Sequence, residues 1–185
     1  MKKKIKERDI VAGCKADKPQ SQRQLYDLYC RMVMGMALRY TRNLTDAEDV
    51  VQETFIKIFM KIGSLRDEKS LTSWIKTITT NTCLDFLKSK NNDYIITSIE
   101  ETDEDIKDEY HKNYDDIPTQ QLLAFVQELP DGYRTVFNLF VFEKKPHREI
   151  AGLLGIKEDS SASQYFRARA LLARQIKKYL KEHEG

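Results

Sequence analysis

The chain has 185 residues, 41% hydrophobic and 32% charged with a formal net charge of +2, a balance that excludes wholesale disorder and supplies apolar mass for one or two small cores. No apolar run approaches the roughly 18 to 20 residues that a membrane helix needs, and the lysine-rich start (Lys2, Lys3, Lys4, Lys6) leads into no hydrophobic block, so direct membrane insertion is not expected and a cytoplasmic location is. Cys14, Cys30 and Cys83 are odd in number and form no C-x-x-C pair, which predicts reduced core thiols rather than a disulfide framework or a zinc site.

Seven glycines, four prolines and few alternating β-branched runs point to an all-α fold. Leu25, Leu28, Tyr29, Met32 and Met36 recur at helical spacing and predict a first helix from near Pro19 and Ser21 to near Asn43. Thr45-Asp46-Ala47-Glu48 reads as a capping box, Thr45 accepting from a first-turn N–H while Glu48 reaches back. Val51, Phe55, Ile58 and Ile62 form the buried stripe of the helix so started, and Gly63 ends it.

A short polar connection over 64–70 precedes a third helix with Leu71, Ile75 and Ile78 inward, running to about Lys90. At 100° per residue, Trp74, Thr77, Asn81 and Lys88 share one flank of it. An aromatic, two polar groups and a cation form a surface for single-stranded nucleic acid, where bases stack and polar groups meet their edges. The same row also reads as a packed tryptophan with solvated neighbours.

Charge divides the sequence. Residues 1–92 carry a surplus of seven basic groups, 93–118 a surplus of eight acidic ones, and 119–185 a surplus of three basic ones. The acidic strip lacks a helical stripe and reads as a flexible linker. The organisation expected is therefore two small helical domains, 1–92 and 119–185, joined by 93–118.

Beyond the linker, Thr119 reads as the cap of a helix with Leu122, Leu123, Val126 and Leu129 inward. Pro130-Asp131-Gly132 breaks it before Tyr133, Val136, Phe137, Phe140 and Val141, and Lys144-Lys145-Pro146 ends the next. A short helix over 147–154, a turn at Gly155-Ile156 and a longer helix over about 160–180 give the helix-turn-helix outline. In the last helix Tyr165, Ala168, Leu172 and Ile176 point inward, while Ser160, Ser163, Gln164 and Arg167 lie opposite with Phe166 at their edge. Such side chains read base edges from the major groove, and they are equally ordinary on a solvated face.

These motifs, in this order, resemble bacterial sigma factors of the two-domain extracytoplasmic-function (ECF) group. DAEDVVQETFIKIF (46–59) is similar to the family's core-polymerase-binding helix, LTSWIKTITTNTCLDFLKSK (71–90) to its promoter-melting helix, and AFVQELPDGYRTVFNLFVFE (124–143) with REIAGLLGIKEDSSASQYFRARALL (148–172) to its helix-turn-helix domain. The resemblance implies a non-catalytic specificity subunit of RNA polymerase, with core polymerase and promoter DNA as partners, an anti-sigma factor as regulator, and no cofactor or metal. It assigns polymerase binding to Asp49, Gln52, Glu53 and Phe55. Minus-10 recognition goes to the loop 63–70, with Arg66 and Lys69 on the backbone, and to Trp74, Thr77, Asn81 and Lys88.

The same resemblance assigns minus-35 contact to Arg148, Ser160, Ser163, Gln164, Phe166 and Arg167, lets His147 touch phosphate beside Arg148, and threads the linker through the polymerase's basic channel. The sequence departs from the family where Ser161 takes the usual inward valine position and where Ala162 and Gln164 replace common basic residues. It departs again where Asn91 and Asn92 follow Lys88 and Lys90. A stand-alone helix-turn-helix regulator remains a second reading. An enzyme is a third, although His111, His147 and His183 are scattered with no visible partner.

Overall fold

A computed structural model describes residues 7–90 and 117–183. Among them no strand occurs, and eight α-helices fall into two compact units, 1–90 and 91–185. The strip read as a linker, 93–118, lies outside the described residues except for Ile117 and Pro118.

The first unit opens with a helix that the sequence reading misses, α1 (Glu7–Lys15). Ile10, Val11 and Cys14 are buried on it, but a nine-residue stripe after a run of lysines gives too little periodicity to detect. Gly13 sits where α1 crosses the start of α2 (Pro19–Tyr40): a Cβ there would lie 1.9 Å from the Ser21 hydroxyl oxygen and 2.6 Å from the Ser21 Cβ. The buried side of α2 comprises Leu25, Tyr29, Val33, Met36, Ala37 and Tyr40. Leu28, expected inside, is 51% exposed, because Val33, Ala37 and Tyr40 centre the buried arc well to one side of it.

The start of α3 (Leu44–Lys61) differs from the expected capping box. Asn43, not Thr45, is the cap: its Oδ1 accepts from the Asp46 N–H at 2.8 Å, and its Nδ2 donates to the Asp46 carboxylate at 3.1 Å. Asparagine caps at least as well as threonine, and the earlier start leaves Thr45 exposed in the first turn. The buried stripe of Val51, Phe55 and Ile58 continues to Ile62 in a 3-10 turn (Ile62–Ser64). A second 3-10 turn (Glu68–Ser70) leads into α4 (Leu71–Lys90). On α4 the hydroxyls of buried Thr79 and Thr82 donate to the carbonyls of Ile75 and Ile78, so these two side chains enter the core already satisfied.

In the second unit α5 (Thr119–Glu128) is preceded by Pro118, which takes the cap position in place of Thr119. The proline holds an extended backbone and its carbonyl accepts from Gln121 and Leu122. Likewise Pro130 is the cap of α6 (Asp131–Val141), so the helix expected from Tyr133 starts two residues earlier, at Asp131. Arg134 is 1% exposed. Its guanidinium donates to the carbonyls of Gln127 at 3.0 Å and Leu129 at 2.9 Å and to the Asp131 carboxylate at 2.5 Å, fastening the end of α5 to the start of α6. Then α7 (His147–Leu154) ends on Gly155 in the left-handed region, φ 67°, a position that favours glycine. The long α8 (Glu158–His183) closes the unit, burying Ser161 and Ala168.

Candidate nucleic-acid interface

The row predicted on α4 faces outward. Thr77, Asn81 and Lys88 are exposed and Trp74 is half-buried, spread over about 21 Å of helix at 1.5 Å per residue. The Thr77 hydroxyl donates to the Ser73 carbonyl at 3.0 Å, which turns its lone pairs to the outside. A half-buried tryptophan, an amide and an ammonium in line can stack one base, hydrogen-bond a second and meet a phosphate.

Beside this row lies the loop 63–70, and its shape is fixed by polar ties. Leu65 is buried as a plug, with Arg66 and Lys69 exposed around it. The Asp67 carboxylate accepts from the Lys69 backbone N–H at 3.0 Å, and the Asp67 carbonyl from the Ser70 hydroxyl at 2.6 Å. From across the fold, the Lys15 ammonium on α1 donates to the Leu65 carbonyl at 2.7 Å. The phenol of buried Tyr29 lies 3.1 Å from both the Glu7 carboxylate and the Thr72 hydroxyl, joining α1, α2 and α4 at one point. Burial pushes the Tyr29 phenol above its ordinary pKa, and the Glu7 charge adds to the rise while the Thr72 hydrogen bond opposes it.

On α3, Asp49, Gln52 and Glu53 are exposed together. Phe55 does not join them: it is 4% exposed, its ring 4.6 Å from that of Tyr26. It belongs to the core stripe. The apolar groups on the outer face are instead Ile56, 55% exposed, and Met60, 80% exposed, both within an arc of about 100° shared with the three polar residues. Carboxylates and an amide around two bare aliphatic side chains make a polar interface with a hydrophobic anchor. The signal in the sequence was that α3 has more apolar residues than one stripe needs.

In the helix-turn-helix, Ser163 and Phe166 point outward, the latter 65% exposed, and Arg148 is exposed in the first turn of α7. Ser160 stands at the margin, half-buried. Gln164 and Arg167, placed by the sequence on the face opposite the core, are both half-buried. Gln164 lies only about 60° around the helix from buried Ser161. Arg167 leans on α6, its guanidinium 3.4 Å from the Tyr133 hydroxyl. His147 is turned inward rather than toward phosphate: Nδ1 is 2.9 Å from the Ser161 hydroxyl and the ring stacks on Phe140 at 4.5 Å. That pairing accounts for a serine at a fully buried position, since each polar group satisfies the other.

Comparison with known proteins bears on both units. Residues 25–92 match the family profile described as Sigma-70 region 2, and residues 119–172 that described as Sigma-70, region 4. The RNA polymerase sigma factor SigV of Bacillus subtilis (strain 168) is 28% identical over 178 residues, 96% of this chain and 98% of that protein. The ECF RNA polymerase sigma factor SigM of the same organism is 26% identical over 155 residues, 80% of this chain and 91% of that protein. Among solved structures, the sigma factor RpoE in complex with the anti-sigma factor NepR from Bartonella quintana aligns with a TM-score of 0.53 at 20% identity, covering 84% of this chain and 96% of that one. The last likeness is one of fold.

Proposed function

We propose a division of labour among the residues of this chain, on the premise that it belongs to the sigma-70 family as an ECF-type sigma factor. A protein of this family binds core RNA polymerase, recognises the minus-35 and minus-10 promoter elements and helps open DNA for initiation. In our reading this chain does so as a non-catalytic, cytoplasmic specificity subunit. Asp49, Gln52 and Glu53 dock on the polymerase with Ile56 and Met60 as the apolar anchor. The loop 63–70 and the row Trp74, Thr77, Asn81 and Lys88 hold the melted minus-10 strand. Arg148, Ser163 and Phe166 face the minus-35 duplex, with Ser160 and Arg167 at the margin and Gln164 set farther inward.

The observation that carries this reading is the outward row on α4 beside a loop pinned from within by Asp67 and from α1 by Lys15. Holding a base out of the stack costs a few kcal/mol. Stacking on an aromatic returns about 1 to 3 kcal/mol per base, so a pre-shaped pocket can hold the strand open without covalent chemistry. Region 1–92 is thus the polymerase and minus-10 domain and 119–185 the minus-35 domain. The acidic residues 93–118 form a polyanionic connector suited to a basic channel. By analogy with the solved relative bound to NepR, an anti-sigma factor would hold the protein inactive.

Co-elution of the purified chain with sigma-free core polymerase on a sizing column tests the first step. Separate elution of the folded protein would favour a stand-alone duplex-binding regulator. For the second step, Asn81→Ala should leave polymerase binding intact and reduce permanganate reactivity of start-site thymines. Unchanged reactivity would remove Asn81 from strand capture.

A further inference from the structure

The matched region 4 ends at residue 172, yet α8 continues as one helix to His183. The extension is held by side-chain contacts. The Gln175 amide donates to the Glu128 carboxylate on α5 at 2.7 Å, and the Tyr179 ring meets Phe125 edge-on at 5.8 Å. Anchored in this way, its outer face has a fixed direction.

That face is basic and lies in line with the reading face. At 100° per residue, Arg174, Lys177 and Lys181 fall within about 40° of Ser163, which lies 11, 14 and 18 residues earlier. All three are exposed. The only acidic residue of 173–183, Glu182, lies off this line and faces Lys178 at 4.0 Å. The two halves of the helix also differ in charge: 158–172 has Glu158 and Asp159 balanced by Arg167 and Arg169, whereas 173–183 has Arg174, Lys177, Lys178 and Lys181 against Glu182. The reading half is neutral and the extension carries +3.

We propose that the C-terminal extension of α8 is a phosphate-binding site, in which Arg174, Lys177 and Lys181 grip the sugar-phosphate backbone of duplex DNA flanking the segment faced by Ser163 and Phe166. The proposal rests on the minus-35 reading of α8 given above. From Ser163 to Arg174 and on to Lys181 the helix rises about 16 and 27 Å, against a major groove about 12 Å wide and 8.5 Å deep. A helix whose first turns lie in the groove therefore brings its last turns past the groove wall, where the phosphates are. The contacts there carry charge attraction without sequence information. A neutral reading half needs such a source of affinity, and the extension supplies it.

The test is the salt dependence of binding of the full chain to a fluorescein-labelled random-sequence duplex, combined with selection from a randomised duplex pool by the holoenzyme. Each lost phosphate contact reduces the log–log salt slope by about 0.9. Lys177→Ala with Lys181→Ala should therefore flatten the slope by about 1.8, so that the loss of affinity between about 50 and 200 mM salt becomes about twelve-fold smaller. The selected motif should not change, and Lys177→Arg with Lys181→Arg should keep the original slope. Both lysines are exposed, and an unchanged thermal transition verifies the fold. An unaltered slope overturns the proposal, as does a changed motif or a loss of polymerase binding, which would make the stripe a base-reading or protein-docking face. A wild-type holoenzyme that selects no motif, or a motif unmoved by Ser163→Ala, tells against the reading half instead, and the slope still decides the extension.

Discussion

The two faces proposed to meet nucleic acid are built by different means. The helix-turn-helix face lies on α8, where main-chain hydrogen bonds within the helix set the position of Ser163, Phe166 and Arg167, and nearby polar groups mainly lock one helix against the next. The face proposed for the minus-10 element joins the α4 row to a loop, and that loop is pinned both by Asp67 within it and by a side chain far away in sequence, Lys15 being 50 residues from Leu65. A helix carries its own geometry into a site. A loop borrows its geometry from whatever it touches.

Variants that break one unit and spare the other sharpen this contrast. The largest effect is expected for Arg134→Met, which leaves the carbonyls of Gln127 and Leu129 without their donor inside the second unit. Losing the donor of a buried acceptor such as the Leu129 carbonyl costs about 1 to 3 kcal/mol, so the thermal transition of that unit should drop while strand opening, assayed at low temperature, stays normal. An unshifted transition would show that the α5–α6 junction does not depend on the guanidinium. Next comes Ile56→Asp with Met60→Asp. Truncating central apolar anchors costs about 2 kcal/mol or more, so polymerase affinity should fall at least about thirty-fold, whereas Phe55→Leu should lower stability with a smaller effect on affinity. Equal losses from both would place Phe55 in the interface after all.

A smaller effect separates the loop from the helix. Removing the Lys15 ammonium with Lys15→Met loses a charge-assisted bond worth about 1.5 kcal/mol, and strand opening should slow about ten-fold at constant polymerase affinity, with Lys15→Arg restoring it. An unchanged opening rate would mean that the loop keeps its shape without α1. The smallest concerns Ser161→Val, which removes the partner of His147 but adds apolar volume. Stability should change by about 1 kcal/mol or less, and a larger loss would show that the His147–Ser161 pair orders the whole reading helix.

Sequence reading succeeded where structure follows local periodicity. The flank of Trp74, Thr77, Asn81 and Lys88 is outward because a helix of this length leaves few choices for residues off its apolar stripe. Gly155 marks the turn because few other residues accept φ 67°. It failed where two good chemistries compete, as when Asn43 rather than Thr45 takes the cap. It failed again where a residue type defies its usual place: Arg134 is buried because the Gln127 and Leu129 carbonyls converge on it beside Asp131, and of these only the i,i+3 pair with Asp131 leaves a trace in spacing. Phe55 shows the reverse, since its place in the apolar stripe already puts it in the core, where it is 4% exposed against the Tyr26 ring, and only the family resemblance moves it to the interface.

The crossing at Gly13 gives the contrast a genetic form. Because a methyl group there would overlap the Ser21 side chain, Gly13→Ala forces α1 away from α2 and carries Lys15 off with it. A screen for strains that assemble holoenzyme but initiate poorly should therefore recover alleles at position 13 as readily as at Asn81, although Gly13 is buried against the Ser21 side chain. A promoter-opening phenotype would map to a residue whose whole contribution is the absence of a side chain.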